Sequence, residues 1–452
     1  MSLTVSVGRK MRPLRSLAVV GLALASIWLA TVPPAASASK AHSQPVFRTE
    51  SHQVGDLYGI GTYIAQRYPT LVAPTLFRVA QTGVDWVREE FTASDMHSGP
   101  NIPYHFPRYD RVITREVHRG LHILGLLDYN DSWYRANHTW MGHRHIYRLT
   151  NQFVRFVDAV VRHYRHQIYR WQVWNEPDIR LRWRPKPRAA DYAYLLRRTY
   201  TTIKDANPQA RVVMAGPSGS DAHAVDFIHK VLRDHGRADI VAIQPYTWIP
   251  DWTLRQEVSE LHRFHRPIWF TEMGWPGQAG CPQCQDPIAQ ADKMATLYLI
   301  GAIGGVRKVF WYDFRDDGIR QTFADHFGLV EYNYATKPAY RAFQIGLHYL
   351  NQATLIGKAK LSGDISIYRF SNHGHWFYVV WNHSAVEQSV DSGWSYRAVK
   401  AFDALGHVMG GVSRHRLHLL IPANSVEYLA PSGMAPTARP SYPIPVPPGH
   451  TK

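Results

Sequence analysis

Between residues 54 and 350, short apolar runs rich in β-formers alternate eight times with longer amphipathic runs, and few folds accommodate that rhythm. The spacing predicts strands over 54–60, 85–88, 122–127, 169–174, 211–215, 240–244, 267–271 and 308–312. Helices are expected over 74–81, 109–119, 146–164, 189–206, 224–235, 254–265, 288–303 and 338–350. The clearest is 146–164, where Phe153, Phe156, Val157, Val160, Val161 and Tyr164 recur at i, i+3, i+4 spacing and mark one buried face. Eight strand–helix units in series point to an α/β fold closed as a (β/α)8 barrel. An open doubly wound sheet would carry a Gly-rich phosphate loop after its first strand, and there is none.

The flanks read differently. Arg9, Lys10, Arg12 and Arg15 precede a nearly unbroken apolar stretch over 16–32, and Ala36-Ser37-Ala38 follows. That is the layout of a secretory signal peptide spanning 1–38, with cleavage expected after Ala38 and an uncleaved anchor as the alternative. Residues 39–53 read as a linker and 54–350 as the catalytic barrel. Residues 351–430 hold short strand patterns (365–370, 376–381, 399–403, 425–429) and read as a small antiparallel β-sandwich-like domain. The Pro-rich stretch 431–452 reads as a disordered tail. An exported chain puts Cys281 and Cys284 of the GCPQC segment in an oxidising compartment, where a local disulfide is expected. A lone C-x-x-C lacks the second pair that a zinc site needs. The formal charge of +16 favours an anionic partner, such as an acidic polysaccharide. Arg and His are scattered without a recognition motif, which argues against nucleic acid.

In a (β/α)8 barrel the chemistry sits at the C-terminal ends of the strands. The fourth predicted strand ends in WQVWNEPD, placing Asn175 and Glu176 at its mouth, and the seventh ends in IWFTEMGW, placing Glu272 there. Two carboxylates therefore face one cavity from opposite sides of the barrel. Glycosidic bond cleavage needs such a pair: one group to protonate the leaving oxygen, the other to attack the anomeric carbon or to activate water. No cofactor is called for.

The strings WNEP and TEMGWP, three strands apart, resemble those of clan A glycoside hydrolases, and within the clan the chain is similar to family 39-type enzymes and related bacterial polysaccharide hydrolases. The likeness extends to VREEF (87–91), QPY (244–246) and the YRF…FYVVWN pattern over 368–382. The resemblance implies a retaining mechanism, with Glu176 as acid/base, Asn175 holding the sugar 2-hydroxyl and Glu272 as nucleophile. It further implies that Arg88 pairs with the nucleophile and that Tyr246 orients it.

Aromatic residues near the strand ends are candidate sugar platforms: Trp311 and Trp275, with Tyr129, Trp133 and Trp248 for outer subsites. Glu90 and Asp128 are expected either to touch substrate or to form ion pairs. His97 and the run His143–His145 lack a second cluster at ligand spacing, so no metal site is expected. The whole reads as a secreted retaining enzyme acting on a β-linked oligo- or polysaccharide, with endo action on an extracellular polymer, for which the charge suggests an acidic one. The alternatives are exo action on a β-xyloside-like glycoside and a barrel that binds carbohydrate without turnover. Oligomeric state and sugar identity are not encoded in any motif.

Overall fold

The computed structural model describes residues 46–97, 102–129, 146–184, 186–219, 222–246, 252–362, 364–392, 399–411 and 417–436. The leader, the Pro-rich tail beyond 436, Trp133, Trp248 and His143–His145 lie outside the described residues. Among the described residues no helix is long and apolar enough to cross a membrane.

The chain enters as strand β1 (Arg48–Gln53), then builds a parallel barrel. Its staves are β2 (Tyr58–Gly61), β3 (Trp86–Phe91), β4 (His122–Leu127), β5 (Arg170–Val173), β6 (Arg211–Met214), β7 (Val241–Ile243), β8 (Ile268–Met273) and β9 (Lys308–Trp311). The ladder runs β6-β5-β4-β3-β2-β9-β8-β7, and parallel bridges Val213–Ile240 and Ser218–Gln244 close the ring. The (β/α)8 architecture expected from the sequence is present. The strands are buried on both faces because helices cover the outside, which is why they read as apolar runs. Where the interior is crowded the sequence makes room: a Cβ on Gly125 would lie 2.3 Å from the Trp171 ring.

Helix Pro287–Gly304 is buried nearly all round, and its position explains why. It lies between the barrel wall and the C-terminal sheet, with Tyr298 stacked on Tyr58 (3.9 Å) and Thr296 Oγ1 donating to Asn424 O. Asp286 caps its start by accepting from the Ile288 amide, and Gly305 ends it at φ 73°.

Beyond helix Pro338–Leu350 come β10 (Thr354–Ser362), β11 (Ile365–Asn372), β12 (His375–Asn382), β13 (Gln388–Ser392), β14 (Val399–Phe402), β15 (Val408–Gly411), β16 (Leu417–Ile421) and β17 (Val426–Pro431). They form an antiparallel sheet β1-β10-β11-β12-β17-β14-β15 and a separate pair β13-β16. Period-two alternation sends Ile365, Ile367, Val380 and Leu429 against Val390, Leu419 and Ile421 of the pair, which makes the sandwich-like layer. The opposite face, with Phe370, Phe377, Val379 and Tyr428, joins the barrel's own core, where Tyr428 stacks on Tyr349 at 4.7 Å. One feature departs from the sequence reading. Residues 48–53, read as linker, pair with β10 in the register Arg48–Lys358 to Gln53–Thr354, so the chain start is an edge strand of the C-terminal sheet. Its alternation is of polar residues at a sheet edge, which leaves no hydrophobic period to detect.

Candidate active site

The C-terminal ends of the barrel strands surround a polar cavity of about 240 Å³, lined by Tyr63, Arg88, Glu90, Asn175, Arg182 and Glu272 among others. Its centre is Arg88, which projects inward from β3 and is completely buried. One Nη donates to Glu272 Oε2 at 2.8 Å and to the Tyr63 hydroxyl. The other donates to Asn175 Oδ1 at 3.3 Å, and Nε donates to Gln172 Oε1 at 3.0 Å. A single guanidinium thus ties together the ends of β3, β5 and β8. Gln172 is fixed from behind, its amide donating to Thr271 Oγ1 at 2.8 Å.

Glu272 reaches the cavity through a register shift between Phe270 and Met273 in the β8–β9 pairing, a bulge that re-aims the side chain. Two residues after Glu272 the chain must carry glycine, since a Cβ on Gly274 would fall 1.9 Å from the Tyr312 carbonyl oxygen. The carboxylate is held on both oxygens: Tyr246 donates to Oε1 at 2.9 Å, and Arg88 and Tyr63 (3.4 Å) donate to Oε2. Burial first, and then the Glu272 charge, keep the Tyr246 hydroxyl well above its usual range, so it stays a donor.

Glu176 sits in the opposite kind of environment. The backbone leaves β5 through left-handed conformations at Trp174 (φ 70°) and Glu176 (φ 46°), strain of the sort found where a side chain must be aimed. Its carboxyl is 10% exposed and is pushed up to about 7, first by burial and then by the Glu272 charge, while Arg182 pulls the other way through Nε–Oε2 at 3.3 Å. Between the two carboxylates, Asn175 has its orientation set. Its Oδ1 accepts from Gln244 Nε2 at 2.6 Å and from Arg88, and its Nδ2 faces the Tyr129 hydroxyl at 3.4 Å.

The structure therefore brings Arg88, Asn175, Glu176, Tyr246, Glu272 and Tyr129 together. The tryptophan platforms are a correction. Trp311 has no accessible surface and Trp275 only 3%, because the segment around Phe327 folds over the mouth of β9 and its carbonyl accepts from the Trp311 indole at 3.1 Å. The two rings pack on each other at 6.0 Å. His97 packs on Tyr104 at 4.6 Å. Glu90 lines the cavity and accepts from Gln66 at 3.0 Å. Asp128 is fully buried, and burial, then the charge of Glu90, pushes its carboxyl up. Cys281 and Cys284 are joined in a disulfide. Among the described residues no group of His, Cys, Asp or Glu is placed to hold a metal ion.

Sequence reasoning missed Tyr63, Gln172, Arg182 and Arg67. Gln172 had a signal, because a lone amide inside a fully buried strand must have partners. Tyr63 lies just beyond the first stave, at the mouth. Arg67 enters from the following turn, fixed by Asp313 (3.1 Å) and Asp317 (2.8 Å), and no spacing rule marks it.

The class of fold is a (β/α)8 barrel completed by a C-terminal β-sandwich-like layer. Among solved structures, the chain is similar to a family 39 glycoside hydrolase from the gut symbiont Bacteroides cellulosilyticus, with TM-score 0.70 and 20% identity over 84% of this chain and 81% of that one. It is also similar to a monomeric β-xylosidase from Caulobacter crescentus (TM-score 0.59, 16% identity, 86% of this chain and 98% of that one). A family 39 enzyme from Xanthomonas axonopodis gives TM-score 0.55 at 15% identity over 86% and 96%. These are likenesses of fold, and they fall on the family that the WNEP and TEMGWP strings resemble. No sequence-family model and no curated protein sequence matches the chain.

Proposed function

We propose that the protein is a retaining glycoside hydrolase, exported by its leader, that cleaves β-linked oligo- or polysaccharide by double displacement. The observation that carries this reading is the contrast between two neighbouring carboxyl groups at the strand ends, each felt by the other. Glu272 is gripped by Arg88, Tyr246 and Tyr63 as an acceptor on both oxygens, while Glu176 is pushed up to about 7. A carboxylate held as an acceptor beside a carboxyl that burial raises supplies candidates for nucleophile and acid.

In the first step a Glu272 oxygen attacks the anomeric carbon, the bond to the glycosidic oxygen breaks, and that oxygen takes the proton of Glu176. The ester so formed removes the Glu272 charge that had raised Glu176, which then holds its carboxylate form. In the second step Glu176 takes a proton from water, the hydroxide oxygen bonds the anomeric carbon, and Glu272 leaves. Asn175, with Oδ1 already engaged, presents Nδ2 to a sugar hydroxyl. The Tyr129 ring takes the place the buried tryptophans vacate as a wall of the cavity. Endo action on a polymer agrees with the exposed cations Arg180, Arg184, Lys186 and Arg188 in the stretch that follows Glu176.

The test is product release from a panel of β-linked glycans and aryl glycosides, with Glu272→Gln and Glu176→Gln beside the wild type. Turnover that collapses in Glu272→Gln supports the assignment. Turnover that persists in it overturns the nucleophile, and glycan binding without turnover in the wild type favours a binding barrel.

A further inference from the structure

The cavity holds three guanidiniums, and their charges are answered differently. Arg88 is met by Glu272, and Arg67 by Asp313 and Asp317. Arg182 is met, among the described residues, by Glu176 through Nε alone. Its side chain is 39% exposed, and its guanidinium lies 5.9 Å from the centroid of the Tyr129 ring. The two Nη groups have no hydrogen-bond partner among the described residues.

The reaction starts with a proton on Glu176, and that proton neutralises the carboxylate that Arg182 Nε touches, leaving Glu272 as a charge that acts on Arg182 without a hydrogen bond. Arg182 is then a ready donor for another anion. An anion brought by the substrate to Arg182 favours, by reciprocity, the protonated form of Glu176. Because Arg182 touches the acid itself, the anion must lie on a sugar flanking the scissile bond.

A second observation points the same way. Arg180, Arg182, Arg184, Lys186 and Arg188 occupy alternate positions of the loop that follows Glu176. All but Arg182 are exposed. The one acid in the stretch, Asp178, is turned inward to accept from the Ser218 amide at 3.1 Å. Trp183, fully buried at 5.4 Å from Trp174, anchors the stretch beside Arg182 to the barrel.

We propose that the substrate is an acidic glycan whose carboxylate or sulfate ester, on a sugar at the scissile bond, is read by Arg182, with the exposed cations of the loop taking further charges along the chain. The proposal rests on the glycoside hydrolase reading, and it is tested by binding so that turnover is not required.

Calorimetry with the Glu272→Gln protein compares β-1,4-linked oligouronates of gluco and manno configuration, and O-sulfated forms of the corresponding neutral oligosaccharides, with the carboxyl-reduced, unsulfated neutral counterparts. The acidic member of at least one matched set is expected to bind about ten- to a hundredfold tighter than the neutral one, the range for hydrogen bonds to a charged group. Preference for uronate over sulfate, or the reverse, identifies the source of the anion. Binding at pH 7 is expected to take up a proton, read from the dependence of heat on buffer ionisation. Adding Arg182→Gln should close the gap between acidic and neutral ligands and abolish the proton uptake, while Arg182→Lys should keep part of both. Equal binding within every matched set, or a preference that survives Arg182→Gln, overturns the proposal. A wild type that binds acidic glycan through Arg182 without cleaving any would refute the hydrolase reading, and with it the placement at a scissile bond, leaving only the contact between Arg182 and the anion.

Discussion

Replacing Arg88 by methionine is the most informative single change. Methionine fills much of the same volume and removes every donor. Four partners are left: Glu272 loses its 2.8 Å ion pair, Gln172 and Asn175 lose donors to their oxygens, and Tyr63 loses the donor to its hydroxyl. Stranding one member of a buried pair costs about 3–5 kcal/mol. Glu272 keeps Tyr246 and is 12% exposed, which puts the expected loss near the lower figure, about 3 kcal/mol. For a chain of this size that is a fall in melting temperature of roughly 5 °C. Losing a preorganised donor at the reacting carboxylate should lower kcat/KM about 10²–10³-fold. The assays are thermal unfolding and the initial rate on whichever aryl glycoside the wild type cleaves. A control separates charge from packing: if the cost is the stranded carboxylate, Glu272→Gln combined with Arg88→Met is more stable than Arg88→Met alone. Arg88→Met with wild-type melting and a rate within about threefold would refute the reasoning, since the expected loss is far larger.

Other consequences follow from the same geometry. Because Glu176 must enter the cycle protonated and its carboxyl is pushed up to about 7, kcat/KM should fall tenfold per pH unit on the alkaline side of that value. A carboxyl whose folded value is raised stabilises the protein below its ordinary value near 4.5, and that contribution is lost as pH rises through 7. Glu176→Gln should accordingly raise the melting temperature at pH 8 and leave it little changed at pH 4. Gly274→Ala, which would drive a Cβ to 1.9 Å from the Tyr312 oxygen, should destabilise by about 1–3 kcal/mol or more in denaturant titrations and cut activity through Glu272. Cys281→Ser with Cys284→Ser opens a very short loop and should cost only about 2 kcal/mol.

The barrel was legible because its signal is repeated: the staves are short buried runs, most of them apolar, and helices such as Ile146–His163 keep strict amphipathic spacing. The two carboxylates were legible because strand ends in this fold are where side chains meet. What escaped is what a one-dimensional pattern does not carry. Trp311 ends a stave, as a sugar platform would, yet the Phe327 segment covers it, and nothing local to either stretch announces that contact. Strand β1 is stabilised by pairing with β10, some 300 residues away, and lacks an apolar face of its own. Arg182 is plain in the sequence as one cation among five, and only the fold shows that it alone touches Glu176.

The most direct test of the account is covalent trapping. A panel of 2-deoxy-2-fluoro β-glycosides with activated leaving groups would be incubated with the enzyme, followed by peptide mass spectrometry. The account predicts one added glycosyl unit on the peptide carrying Glu272, and none in Glu272→Gln. A label on another carboxylate, or hydrolysis without any adduct and with inverted anomeric configuration in the product, would contradict it.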